Sequence, residues 1–252
     1  MILILLPDSD YDPTESAVPW QALINAGFEV CFATPSGKVA YADKRLTELG
    51  FGVLSTFFMT RKRDIDSYQK MALSESFNRP LKLSDLTLDG HLNVEGILVP
   101  GGHAQGMKTL LESAHAQTLI TDAFKKDIPV AAVCHGVLLL ARSIDPETGK
   151  SVLFNRKTTA LPKWMELFAW YATKPKLGDY YRTYPVSVED EVKASLQHTR
   201  NYRLGPILPF RDKPGGGGPV CIVRDGNYLS ARWPGDCHTL ARDFVALLKE
   251  QI

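Results

Sequence analysis

Several features that would point to a specialised class are scarce in this chain. Its four cysteines, Cys31, Cys134, Cys221 and Cys237, form no C-x-x-C pair and no metal-finger spacing, which sets aside a zinc ribbon or a dithiol redox motif. No histidine pair has the spacing of a metal site either. Net charge is only +1, with no basic or acidic tail. Nothing advertises nucleic acid, and a catalytic site must build its own local field. Long apolar runs are also missing. The opening MILILLPDSD has no basic leader, and its six apolar residues stop at a proline. A secretory segment needs roughly 7–15 apolar residues and a spanning helix about 20. The stretch is therefore expected to be the first buried strand of a cytoplasmic protein without membrane contact. The glycine run PGGGGP (214–219) lacks a Lys-Ser/Thr and a following helix, so it is no phosphate loop. No internal repeat is visible.

What is present fits an ordinary globular chain: 252 residues, 44% hydrophobic and 23% charged. Strand and helix signals alternate. MILILL, FEVCFAT, GILVPGG and IPVAAV read as strands, and Pro13 to Ala26 reads as a helix closed by Gly27. Helical spacing recurs at 64–77, at 107–126 with a break near Ala114, and from about Asp236 to Lys249. VLFNRKTTA (152–160) is strand-like, and VCIVRDGNYLSAR reads as a hairpin turning at Asp225-Gly226. From Pro162 to Ala172, Trp164, Leu167, Phe168 and Tyr171 share one helical face and are expected in the core. The pattern predicts an α/β fold: a doubly wound, mostly parallel sheet with helices on both faces. Segments 38–93 and 174–217 are less regular and are expected to be insertions forming a cap. Their aromatics (Phe57, Phe58, Tyr180, Tyr181, Tyr184) suit an apolar pocket wall. Ligands in such folds bind outside the carboxyl ends of the strands, where Asp8, Gly101, Gly102 and Cys134 all fall.

In VAAVCHGVLLLAR (130–142) a short buried strand runs straight into a buried helix, with Cys134 at the tip of the turn. Ala132 and Gly136 flank the cysteine two positions either side, the small-x-Cys-x-Gly counterpart of a G-x-S-x-G elbow. A helix N-terminus aims free amides at the sulfur, which favours thiolate and predicts a depressed thiol pKa. Those amides, with the Gly101-Gly102 turn, suit an oxyanion. On the pattern alone, a nucleophile and a buried core cysteine both remain open. Cys31 reads as a reduced core thiol, and a Cys221–Cys237 bridge is left open.

LVPGGHAQGM, followed by VAAVCHGVLLLARS, resembles the ThiJ/PfpI superfamily, whose fold is similar to class I glutamine amidotransferase domains (flavodoxin-like). The likeness extends to PTESAVPWQALINAGFEVCFATPSG and to LSARWPGDCHTLARDF, and the His in PGGH looks most like the glyoxalase III and holding-chaperone branch. By resemblance the chain is one ThiJ/PfpI-type domain in which Cys134 is the nucleophile and His135 its neighbouring base. Glu15 is the glutamate that reaches the cysteine from the first helix, although Asp12-Pro-Thr-Glu15 is equally a capping box. A glutamate beside a thiolate is pushed toward its protonated form. The acid orienting His135 falls at Glu166, with Asp179 the rival. Oxyanion binding falls to Gly101, Gly102 and His135. His103 is expected to hydrogen-bond within the glycine turn, and His91, His115, His198 and His238 to be polar or capping residues.

The implied activity is cofactor-free conversion of methylglyoxal to lactate. Amide or peptide hydrolysis is the near alternative, and a redox sensor or holding chaperone the non-enzymatic one. The implied partner is a small-molecule substrate, with no nucleic acid, no membrane and no metal; a homodimer is left open.

Overall fold

Short aliphatic runs that must bury both faces can do so only in the middle of a layered sheet. The computed structural model describes residues 1–52, 55–88 and 93–251, except the side chains of Thr56 and Phe57. His91 and the Phe57 side chain therefore lie outside the described residues. Seven strands form one sheet: β1 (Ile2–Leu5), β2 (Val30–Thr34), β3 (Leu81–Lys82), β4 (Gly96–Val99), β5 (Val130–Val133), β6 (Ile222–Asp225) and β7 (Tyr228–Ala231). Their spatial order is β6-β7-β5-β4-β1-β2-β3. Every pairing is parallel except β6 with β7, the hairpin at Asp225-Gly226.

The main helices are α1 (Pro13–Asn25), α2 (Lys62–Leu73), α3 (Ala114–Lys125), α4 (Gly136–Arg142), α5 (Lys163–Leu177), α6 (Val188–Ser195) and α7 (Cys237–Lys249). Helix α1 packs against α2 and α7, while α4 packs against α3 and α6, so the sheet is covered on both faces as predicted. Burial accounts for the assignment: β1, β4, β5 and β7 contain no exposed residue, and one continuous apolar core runs between the layers. A smaller cluster, Leu46, Phe51, Ala104 and Tyr181, lies apart from it. Among the described residues no helix is long and apolar enough to cross a membrane.

Two local expectations fail. Residues 152–160 form turns and a single bridge, Thr158 to Tyr202, not a strand. Along α5 the buried positions are Met165, Glu166, Ala169 and Thr173, whereas Trp164, Phe168 and Tyr171 are exposed by 37%, 56% and 60%. Apolar periodicity marks a face that meets apolar surface; it does not say whether that surface is core or cavity wall.

The chain runs from β1 outward to β2 and β3, then returns to the other side of β1 for β4. The crevice at such a reversal is where open α/β sheets bind ligands. Helix α1 leaves β1 there, and Pro100-Gly101-Gly102 leaves β4.

Candidate active site

Strand β5 ends at Val133 and α4 begins at Gly136, so the turn must be made at Cys134 and His135. The Cys134 amide still pairs with the Ala231 carbonyl of β7 at 3.1 Å. Its φ is then +58°, a left-handed conformation that side chains other than glycine avoid. Such strain costs on the order of 1–3 kcal/mol and persists only where the surroundings enforce it. Here they do. A Cβ on Gly136 would overlap the Val99 carbonyl oxygen and come within 2.8 Å of that of Pro100, so only glycine lets α4 start this close to β4. The expected elbow is formed, and Cys134, 4% exposed, points its chemistry into a cavity.

Glu15 does not cap its own helix. That task falls to Asp12, whose carboxylate accepts from the amides of Thr14 (2.7 Å) and Glu15 (3.1 Å). The fully buried Glu15 carboxylate instead reaches across the sheet edge and accepts from the Gly101 amide at 2.7 Å. Its second oxygen has no protein partner. Burial and the neighbouring Asp12 push Glu15 well above the ordinary carboxylate range, against the pull of the Gly101 amide and a side-chain interaction with Cys134. This disposes of the capping-box reading of Glu15. It also removes Gly101 from the expected oxyanion donors, because its amide is already committed to Glu15. The His135 amide remains beside the sulfur, and Gly102 lines the cavity.

The expected depression of the Cys134 thiol is overturned. Burial raises it well above the usual thiol range, and the charges of Glu15 and Asp12 raise it further; the His135 amide opposes them and loses. Sequence showed the helix end but not the two carboxyl groups. With both Cys134 and Glu15 pushed up, the pair rests protonated, and the sulfur needs a base.

The His135 Nδ1 lies 3.5 Å from the Cys134 Sγ. Burial, His103 and Arg142 hold this imidazole well below its ordinary pKa, so it rests neutral. Its Nε2 is buried without a partner. Glu166, only 1% exposed, is near: ligand atoms of His103, His135 and Glu166 all lie within 4.8 Å of one another. Its carboxylate nevertheless accepts from the Val188 amide (2.8 Å) and pairs with Arg182 (3.4 Å). Burial raises it to about 7. Asp179 is exposed and accepts from the Trp170 indole at 3.0 Å, away from this cluster. Among the described residues, His103, His135 and Glu166 are also a set of three that could hold a metal ion, a convergence that spacing along the chain does not reveal.

His103 departs from expectation. Its ring leans on His135, with centroids 5.0 Å apart, and its Nε2 has no partner in the glycine turn. Asp12 was not singled out in sequence as a site residue, yet it lines the cavity together with Tyr181, one of the expected wall aromatics. The Asp12-Pro pair signalled only a cap. His238 contacts Asp64 at 3.1 Å, and Cys221 and Cys237 are free thiols rather than a bridge. Asp8 binds the Ser36 amide and hydroxyl, stapling the loop after β2.

The cavity over Cys134 has a volume of about 520 Å³. Leu46, Phe51 and Phe58 line it from one irregular segment, Tyr181, Phe210 and Arg211 from the other. Tyr180 and Tyr184 take no part in the wall; their hydroxyls donate to Asp43 (3.1 Å) and Glu112 (2.9 Å).

A family model described as ThiJ/PfpI family-like matches residues 6–206. An uncharacterized protein of Schizosaccharomyces pombe is 36% identical over 138 residues, covering 55% of this chain and 49% of that protein. The glutathione-independent glyoxalase hsp3102 of the same organism is 28% identical over 152 residues, covering 60% of this chain and 59% of its own length. The chain thus spans about half to three-fifths of these curated relatives. In three dimensions, glyoxalase III from Candida albicans superposes with a TM-score of 0.68 over 98% of this chain and 96% of that one, at 20% identity, a likeness of fold. The glycine turn, the cysteine elbow and the family match across most of its length agree: this chain belongs to the ThiJ/PfpI-like family.

Proposed function

We propose that the protein is a cysteine-nucleophile enzyme acting on small carbonyl compounds, glyoxalase III-like, converting methylglyoxal to lactate with water as co-reactant. The observation that carries this reading is the strained Cys134 set between a proton-holding Glu15 and a neutral His135 at a cavity floor. The sulfur adds to the aldehyde carbon as its proton passes to His135 and Glu15 protonates the carbonyl oxygen, giving a hemithioacetal. Glu15, now a carboxylate, takes the hydrogen from that carbon, and His135 returns its proton to the former ketone oxygen, giving an enediol. Glu15 protonates the second carbon and receives the hydroxyl proton, leaving a thioester of the 2-hydroxy acid. Water, deprotonated by His135, hydrolyses it and restores the thiol. The distant glyoxalase relatives support the same chemistry.

The closeness of Glu166 to His135 favours a second reading, amide or peptide hydrolysis, in which a His–acid pair matters more than a protonated glutamate. Purified protein incubated with methylglyoxal should yield lactate by NMR, and Cys134→Ser should yield none. Hydrolysis of amides with no lactate from methylglyoxal would replace the first reading by the second.

A further inference from the structure

The oxoaldehyde reaction proposed above, on which this inference rests, requires room for a three-carbon molecule. The cavity of about 520 Å³ over Cys134 lies instead within the roughly 300–1,000 Å³ that drug-sized ligands fill. Its walls include Phe51, Phe58, Trp164, Phe168, Phe210 and Trp233. Ring contacts join several of these into a continuous track. His103 lies 5.0 Å from His135 and 5.4 Å from Tyr181, centroid to centroid. Tyr181 lies 5.6 Å from Phe51, Phe51 lies 5.3 Å from Phe58, and Phe58 lies 6.0 Å from Phe168. The track begins at the imidazole beside the nucleophile and ends on a ring that is 56% exposed.

Apolar area held in water along a cavity wall is stabilised by an apolar occupant. Aromatic walls favour a flat one, through offset or edge-on ring contacts. Of the two arginines on the wall, Arg61 is exposed to solvent and Arg211 is compensated inside the protein. Arg211 stacks on Trp233 at 5.0 Å and has Asp12 and Asp64 beside it, so its charge is balanced within the protein. We propose that this chamber is a binding site for a planar aromatic substituent, and that the preferred substrate is an aryl 2-oxoaldehyde rather than its methyl counterpart. The aryl ketoaldehyde and one water become the aryl 2-hydroxy acid by the steps given above, with no additional oxidant or reductant.

The test compares initial rates on methylglyoxal and phenylglyoxal, and the calorimetric affinities of the corresponding products, lactate and mandelate. We expect kcat/KM for phenylglyoxal to exceed that for methylglyoxal by about tenfold or more. Mandelate should bind at least about tenfold tighter than lactate, and both ratios should fall toward unity in Phe58→Ala and Phe168→Ala. An enzyme that turns over methylglyoxal but favours phenylglyoxal no more than equally overturns the chamber and leaves the carbonyl reading standing. If neither compound is turned over, the carbonyl reading fails. The chamber is then upheld by a mandelate preference that Phe168→Ala abolishes, and overturned if mandelate and lactate bind alike.

Discussion

Two buried acids, a thiol and a carboxyl, share one small space in this protein, and which of them keeps a proton decides the chemistry. Glu15 is raised by burial and by Asp12, while part of the rise at Cys134 comes from Glu15 itself. Replacing Glu15 with Gln should therefore do two separable things. It removes the proton donor and base, so kcat on an oxoaldehyde should fall by about 10²–10⁴. It also removes a carboxyl whose ionisation, as pH rises, opposes the thiolate, so the pH midpoint for alkylation of Cys134 should move down relative to wild type. Glu166→Gln should cost less, because that carboxylate is held by Val188 and Arg182 and touches no reacting atom. Full activity in Glu15→Gln would remove Glu15 from the mechanism.

The strand-to-helix step from β5 to α4 depends on how closely the start of α4 approaches the end of β4. A Cβ at Gly136 meets backbone carbonyl oxygens, which cannot swing aside as a side chain does. Gly136→Ala should cost at least about 1–3 kcal/mol in urea unfolding, the range of core overpacking. Helix α5 makes the opposite case. Phe168 is more than half exposed, so Phe168→Ala should leave stability within about 0.5 kcal/mol of wild type even though the ring lines the cavity. A large loss of stability there would mean that the ring is core after all.

Over the whole molecule, buried acids and bases oppose each other in the pH dependence of stability. Asp12 is raised to about 6, Glu166 to about 7 and Glu15 well above the ordinary carboxylate range, so the native state binds more protons than the unfolded chain. The stability these carboxyls contribute is complete below the unfolded carboxylate range and is lost as pH rises through their folded values. His103, lowered to about 4, and His135 act the other way: their contribution is present above the ordinary imidazole pKa and is lost as pH falls. Between those limits the two sets compete. At pH 6.5 an unfolded imidazole is still half protonated, so the histidines go on opposing the carboxyls until about pH 7.5. From pH 6.5 to 8 the ionisation of Glu166 should by itself cost wild type on the order of 1 kcal/mol of stability. Thermal melts of Glu166→Gln should show a correspondingly shallower decline; parallel slopes in the two proteins would contradict the buried ionisation of Glu166.

Much of this was legible in the order of residues alone. Short apolar strands alternating with helices specify a parallel sheet, because only a covered sheet buries both faces of such strands. A cysteine between a strand and a helix, with small neighbours at two positions either side, specifies an elbow because the backbone has no other way to turn there. Local sequence could not weigh the environment. The helix end argued for a thiolate, but the burial and the carboxyl groups that reverse this come from α1 and its cap, more than a hundred residues away. It placed Trp164 and Phe168 in the core because periodicity records an apolar face without recording what lies opposite. It gave Gly101 to an oxyanion when the fold gives that amide to Glu15. Contacts and charges between distant segments are set only when the sheet brings them together, so the sequence determined the frame and the nucleophile's position, while the tertiary structure decided the protonation state and the shape of the space above it.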